Sequence, residues 1–572
     1  MRRYGGGKSR ELLLTIGIIQ YYISNLIIFI MKNSVLVANG SSHTGNRTSL
    51  LDTAGRTEQI LHINNFIASL GNICSLDEFA EFRNQFSQYM KEVLGVFLEG
   101  RSESFLLAFE QGSVSKYQPS SDEDPEKMKE SLRILLIMKN RLYRQVLLPI
   151  LLGGKLDTML SIEERNDIVH CIQSGVFEVF DDMIIPWLVS VSDERLVSEL
   201  GNKEAPHYGG IQNQKVVGYD AFSQKKIVIE EIGKIKNPHL RVYLERISNL
   251  LASSKHDYVS WVDAETHESA VWADQTSKIG FVSPMEDYIA PGFVEPELYL
   301  FLKDTRNQVP YSEFYNLSEK YFGQRFGMDK MTCTHVETLL EGGDAILGLF
   351  VGKAFPNDPT LSKSHGNNII LRSSPMELIV ENAKKQMLLL FPGISIDFDV
   401  LKRELLKEVT YHEFGHSLFI KGHPSSLLEE AKASLFYYLH IFDANKAMPF
   451  SESDRQRIVL FIVMDSLRMI ERLGQPQYAK YTILMQSVLT PLFSTGLVRI
   501  IESGLELNVD KNNFNEFLEI LRDLLFKIKE LYLLDTGELS QQEKPIIEKL
   551  ENDSKDYIDY IARVIGIAMP AR

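Results

Sequence analysis

The fold class predicted from the sequence is α+β, mainly helical with a smaller mixed β region, arranged as two lobes with a cleft between them. Three observations predict it. Apolar residues recur at helical spacing through most of the chain, as in Lys127 to Leu152 and Phe514 to Leu534. Between Asp257 and Phe301 that period gives way to short β-prone runs divided by polar and Pro/Gly-containing turns. A length of 572 residues also exceeds what one hydrophobic core normally serves.

Taken in order, residues 1–56 form an apolar segment and a polar lead-in. Arg2, Arg3, Lys8 and Arg10 precede the run Leu12 to Ile30, which is long enough to cross a bilayer but is diluted by Gln20, Tyr21, Tyr22, Ser24 and Asn25. It reads as a membrane anchor, an export signal, or an over-long start whose true first residue is Met31, and the last is preferred. Residues 57–256 are expected to be helical, with long runs at Lys127 to Leu152 and Glu163 to Leu188. Residues 257–330 are expected to form a mixed α/β wall, with strands at Tyr258 to Val262 and Ile279 to Val282. Residues 331–572 are expected to be a helical lobe. It opens with a short strand at Ile369 to Leu371 and a helix from Met376 to Phe391, and it is almost wholly helical from Phe398, including Arg455 to Leu473, Ala479 to Ser503 and Glu543 to Ile565.

Composition narrows the function. With 61 basic against 76 acidic residues the net charge is −15, and no basic stripe interrupts it. Nucleic acid is therefore excluded as a partner, since phosphate binding needs basic surface to displace counterions. The three cysteines, Cys74, Cys171 and Cys333, lie far apart and form no CxxC pair. That favours a reducing compartment and a cytoplasmic protein, with anchoring through residues 12–30 as the alternative. No repeat of 20–50 residues supports a solenoid.

The chemistry concentrates in His412-Glu413-Phe414-Gly415-His416. Residues four apart share a helix face, so His412 and His416 can offer two imidazole nitrogens to one Zn²⁺. Glu413 then stands beside the metal without ligating it, placed as general base for the attacking water. Surface helices also carry this pattern and bind nothing. Here Val400, Leu401, Leu405 and Val409 form an apolar face upstream that carries the motif inward. A third ligand is sought in the glutamate pair Glu429 and Glu430, which follows a break at Gly422 and Pro424, and Glu430 is the choice.

The motif, followed by Leu427-Leu428-Glu429-Glu430-Ala431-Lys432-Ala433-Ser434, resembles the dipeptidyl-peptidase III family of zinc peptidases, especially its shorter bacterial and plant-type relatives. Lys353-Ala354-Phe355-Pro356-Asn357-Asp358, followed by His365 to Leu371, resembles the family's PN-containing loop and the strand after it. Ile279-Gly280-Phe281-Val282 resembles its IGF strand, and together the likeness spans roughly residues 258–500. The resemblance implies a zinc peptidase of short peptides with one Zn²⁺ per chain held by His412, His416 and Glu430. It also implies that Glu413 is the general base, that Asn357, Gly280 and Phe281 contact substrate, and that Glu429 and Ser434 flank the ligands.

Four positions depart from the family. The histidines are four apart, where animal and fungal members insert one more residue. Ser434 stands where relatives carry an acid, a loss that can weaken metal affinity about 10–100-fold. Tyr478 takes the place of a transition-state-stabilising histidine, and its hydroxyl can still donate to an oxyanion. Ser283 and Met285 replace a substrate-gripping glutamate and tyrosine. Two further readings follow from these residues: a catalytically impaired relative that survives as a peptide-binding module, and a metal hydrolase of nonpeptide bonds.

Overall fold

Capping as well as apolar periodicity decides where helices begin. In the computed structural model, Ser161 accepts from the Glu164 amide at 3.2 Å while the Glu164 carboxylate accepts from the Ser161 amide at 2.9 Å, closing a capping box ahead of Ile162–Gln173. The structure describes residues 70–93, 100–111, 125–181, 227–252, 277–282, 293–308, 312–323, 332–346, 350–355, 368–418, 426–470, 478–532 and 536–567, with a few positions between them. The predicted strand at Tyr258 to Val262 and the apolar run 12–30 lie outside these residues. No helix among the described residues is long and apolar enough to cross a membrane.

The chain is mainly helical with a smaller mixed β region, and it divides into two compact units. The first comprises Met1–Lys303 and Glu337–Leu349. Its helices are α1 (Leu76–Val93), α2 (Glu103–Gln111), α3 (Pro125–Leu142), α4 (Ile162–Gln173), α5 (Ile229–Lys234) and α6 (Pro238–Ala252). Strand β1 (Ile279–Val282) pairs antiparallel with β2 (Phe293–Gln308), Ile279 opposite Leu302 and Val282 opposite Tyr299. The run expected as one helix from Glu163 to Leu188 breaks at Ser174 and Gly175, where Gly175 takes a φ of 74°, a conformation that ends a helix without steric penalty.

A π-helical turn at Tyr143–Leu147 follows α3, and Arg144 within it is fully buried. Its guanidinium is held by Asp181 at 2.6 Å, Glu178 at 2.9 Å and the Glu341 carbonyl at 3.0 Å. Burial opposes its charge, but the two carboxylates outweigh that and raise its pKa. Lys139, one turn earlier, donates to Ser87 Oγ and the Phe109 carbonyl, each at 3.2 Å. Burial, then the charge of Arg83, push its ammonium down to about 7 against the pull of Glu341.

For a lysine this sign matters. Between pH 7 and its unfolded pKa of about 10.4 the unfolded chain binds the proton and the folded one does not, so folding stability at this site rises with pH across that window. Lys139→Met should remove that rise. Denaturation of both proteins at pH 7 and pH 9.5 should show wild type gaining on the variant as pH increases; a constant difference would mean that Lys139 stays charged in the fold.

The second unit comprises Asp304–Val336 and Phe350–Arg572. It holds α7 (Ser312–Phe322), the start of β3 (Thr332–Gly343), β4 (Gly352–Phe355) and β5 (Asn368–Arg372). Strand β5 runs parallel to β3, Thr332 opposite Asn368, and antiparallel to β4, Gly352 opposite Leu371. Helices α8 (Ser373–Leu390), α9 (Phe398–His416), α10 (Glu429–Ala447), α11 (Glu452–Ile470), α12 (Ala479–Ser494), α13 (Lys511–Leu531) and α14 (Thr536–Ile565) complete it. The helix expected to run through Ser503 instead stops at Ser494, and an antiparallel hairpin follows, β6 (Val498–Ile501) with β7 (Gly504–Leu507). Gly496, at a φ of 73°, ends the helix, and the β-branched run after it suits a strand. At Gly504 a Cβ would lie 2.5 Å from the Leu390 carbonyl oxygen, so the hairpin can approach α8 only with glycine there.

Candidate metal centre

Helix α9 starts at Asp397, whose carboxylate accepts from the Val400 amide at 3.1 Å. Leu401, Leu405 and Val409 are buried along one side, and this carries the histidines inward as their spacing predicts. Helix α10 is buried on every side from Glu430 to Leu439, so each polar side chain on that stretch needs a partner or a ligand. Gly415 lets the two backbones touch. A Cβ there would sit 2.3 Å from the Ala433 carbonyl oxygen and 2.6 Å from its Cα. That close crossing brings Glu430, about one turn before Ala433, against the histidines.

Three donor atoms converge. His412 Nε2 and His416 Nε2 are 3.0 Å apart, and Glu430 Oε2 lies 3.2 Å from the first and 3.7 Å from the second. Zinc with bonds of about 2.0–2.1 Å in tetrahedral geometry holds its ligands about 3.3 Å apart, so the triangle has the size such an ion requires. Glu430 Oε2 is buried with no hydrogen bond of its own, an orphan acceptor that a cation would satisfy. By donor chemistry and dimensions the residues fit zinc, and they are the cluster the described residues offer for it.

The other ring nitrogens are tied down. His416 Nδ1 lies 3.1 Å from Glu429 Oε1, and His412 Nδ1 lies 2.7 Å from Ser434 Oγ. The Glu429 carboxylate can only accept, so it places the His416 proton on Nδ1 and leaves that ring's Nε2 lone pair facing the other two donors. Glu429 also accepts from Tyr532 Oη and pairs with Lys432 Nζ at 2.8 Å. Burial works against its charge, but Lys432 and His416 prevail and hold the carboxyl well below the usual range. Lys432 in turn donates to the carbonyls of Leu418 at 2.9 Å and His416 at 3.3 Å, so it caps the end of α9 from the start of α10. Burial disfavours the imidazolium of His412, yet the neighbouring carboxylates of Glu430, Glu408 and Glu413 lift its pKa to about 9. This pocket is strongly cation-attracting.

Glu413 is buried against β4, where a Cβ on Gly352 would come within 2.8 Å of Glu413 Oε1 and 2.6 Å of Val409 Cγ1. Burial raises its pKa and so does Glu430, while His412, His416 and Lys353 oppose. A carboxylate moved toward neutrality makes a stronger base.

The remaining predicted residues are distributed differently. Tyr478 precedes α12, with the Arg472 guanidinium 4.5 Å above its ring. Tyr481, one turn further, has its ring 6.3 Å from that of Tyr478. Its hydroxyl pKa is raised by the charge of Glu430 first, then by burial and Glu413. Gly280 and Phe281 belong to β1 in the first unit, and the Phe281 ring packs in the core at 4.4 Å from Tyr243. Asn357 lies outside the described residues. Sequence reasoning missed Glu408, Lys432, Tyr481 and Tyr532. Glu408 was findable one turn before His412 and Tyr481 one turn after Tyr478, whereas Tyr532 reaches Glu429 across 103 positions and leaves no local signal.

No family model matches the sequence, and no curated protein matches it. Among solved structures the chain is similar to DPP III from Caldithrix abyssi, with a TM-score of 0.45 and 12% identity over 76% of this chain and 93% of that one. It is similar too to dipeptidyl-peptidase III from Corallococcus sp. strain EGB, with a TM-score of 0.41 and 12% identity over 65% of this chain and 79% of that one.

Proposed function

We propose that this protein is a zinc-dependent peptidase of the dipeptidyl-peptidase III type that hydrolyses short peptides. The observation that carries the reading is the convergence of His412 Nε2, His416 Nε2 and the orphaned Glu430 Oε2, with a buried carboxylate, Glu413, next to His412 in the chain. Zinc, when bound, supplies a Lewis acid that acidifies water and polarises the scissile carbonyl. The chain's own residues do the rest. Glu413 takes the proton of the attacking water and returns it to the departing amine. Glu429 and Ser434 hold the two imidazoles in their working tautomers. By motif Asn357 and the Gly280–Phe281 backbone keep a substrate-contact role, whereas the Phe281 side chain is taken up by the core of the first unit. The three unpaired cysteines accord with a cytoplasmic enzyme.

A tyrosine hydroxyl supplies the hydrogen bond to the developing oxyanion. Tyr478 holds that position by motif, and Tyr481, with its ring 6.3 Å away, is the neighbouring tyrosine. Tyr478→Phe is expected to lower kcat about 10²–10³-fold with zinc content unchanged, and Tyr481→Phe to cost less. The reverse order in steady-state kinetics would move the role to Tyr481.

The test of the whole reading is a mixed peptide library incubated with purified protein and followed by mass spectrometry. Cleavage should appear, stop on chelation and return with zinc. Peptide binding without cleavage, under zinc saturation, would instead favour a non-catalytic peptide-binding module.

A further inference from the structure

The departure at Ser434 removes a carboxylate from the position beside His412, yet the structure supplies another by an indirect route. Ser434 Oγ lies 2.7 Å from His412 Nδ1 and donates its own proton to Glu408 Oε1 at 2.6 Å. Both bonds sit in the core: Ser434 is 1% exposed and Glu408 3%. Glu408 itself is 3.9 Å from His412 Nδ1, too far for a direct hydrogen bond. It belongs to α9, one turn before His412, whereas Ser434 comes from α10.

A serine hydroxyl has one proton and free rotation, so alone it can offer the imidazole either a donor or an acceptor. An acceptor on its far side removes that freedom. With the Ser434 proton committed to Glu408, the lone pairs of Ser434 turn toward His412, which must then carry its proton on Nδ1 and present Nε2 to the ligand cluster. We propose that Glu408 is the carboxylate that positions His412 for zinc, acting through the Ser434 hydroxyl. The chain Glu408–Ser434–His412 thereby replaces a direct carboxylate–imidazole contact, and it joins α9 to α10 at the metal centre. Glu408 is a positioning residue and touches neither metal nor substrate. The inference rests on the zinc reading above, and it concerns how one ligand is oriented within it.

The test measures zinc affinity by competition with a chromophoric chelator, using full-length wild type, Ser434→Ala, Glu408→Gln, the double variant of these two, and Ser434→Asp in both the wild-type and Glu408→Gln backgrounds. Each single removal should weaken zinc binding about 10–100-fold. The double variant should be no worse than the weaker single, because both changes break one chain of hydrogen bonds. Ser434→Asp puts a carboxylate directly beside His412, so it should restore affinity to Glu408→Gln, which a purely structural role for Glu408 would not permit. Circular dichroism and melting of each apo variant check folding. If Glu408→Gln fails to fold, the Ser434→Ala loss and ¹⁵N chemical shifts reporting the His412 tautomer still decide the matter. Wild-type affinity in both single variants, additive losses in the double, or absence of rescue by Ser434→Asp would each overturn the proposal while leaving the zinc reading intact. Failure of wild type itself to bind zinc would instead overturn the zinc reading and this inference with it.

Discussion

Replacing Glu413 by glutamine is expected to leave about one zinc per chain and to lower kcat by about 10²–10⁴-fold. The separation of the two effects follows from the geometry. Glu413 is not among the three converging donors, so the ligand set survives. Its side chain already packs against Gly352, and glutamine has nearly the same volume, so the fold survives as well. What glutamine lacks is a proton acceptor of carboxylate strength. Elemental analysis beside peptide turnover checks both halves. Turnover within a few fold of wild type would remove Glu413 as the base, and loss of zinc would recast it as a structural residue.

Gly415→Ala is expected to damage stability and metal binding together. The new Cβ would meet the Ala433 carbonyl at 2.3 Å, where ordinary contact begins near 3.4 Å. The obstacle is backbone, which cannot rotate aside, so α9 and α10 must part by about 1 Å or bend. Overpacking of this kind costs about 1–3 kcal/mol, and backbone contact argues for the upper end or beyond. Because Glu430 rides on α10, the same displacement draws it away from the histidines. Gly153→Ala is the control, since a Cβ there meets nothing within 4 Å. Chemical denaturation and zinc titration should both show Gly415→Ala impaired and Gly153→Ala near wild type. Normal zinc affinity in Gly415→Ala would mean that the ligand triangle tolerates a looser crossing than the structure implies.

The features of the site legible in the sequence are those that one helix can express. The pairing of His412 with His416, the inward face of α9 and the acidic start of α10 are all local periodicities. The third converging donor, Glu430, was readable because a chain break separates two helices that must cross. The reason they cross closely enough, Gly415 against Ala433, needs coordinates, since glycine inside a helix ordinarily reads only as a weak point. The clamps on the ligands divide the same way. Glu408 stands at helical spacing from His412, but only packing shows that it reaches Ser434 beside the cluster. Tyr532 comes from the far end of α13 and carries no pattern at all. Among the secondary elements, β3 was missed because Leu339 and Leu340 are both buried and break the alternation that marks a half-buried strand. The hairpin after α12 was missed because Val498, Ile500 and Ile501 continue an apolar run that a helix also accommodates.

The most direct measurement is anomalous diffraction at the zinc absorption edge from crystals of the wild-type protein grown with zinc. A single strong peak is expected in the second unit about 2.0–2.1 Å from His412 Nε2 and His416 Nε2, and at a similar distance from a Glu430 carboxylate oxygen. A peak elsewhere, or none between these three side chains at saturating zinc, would contradict this ligand set.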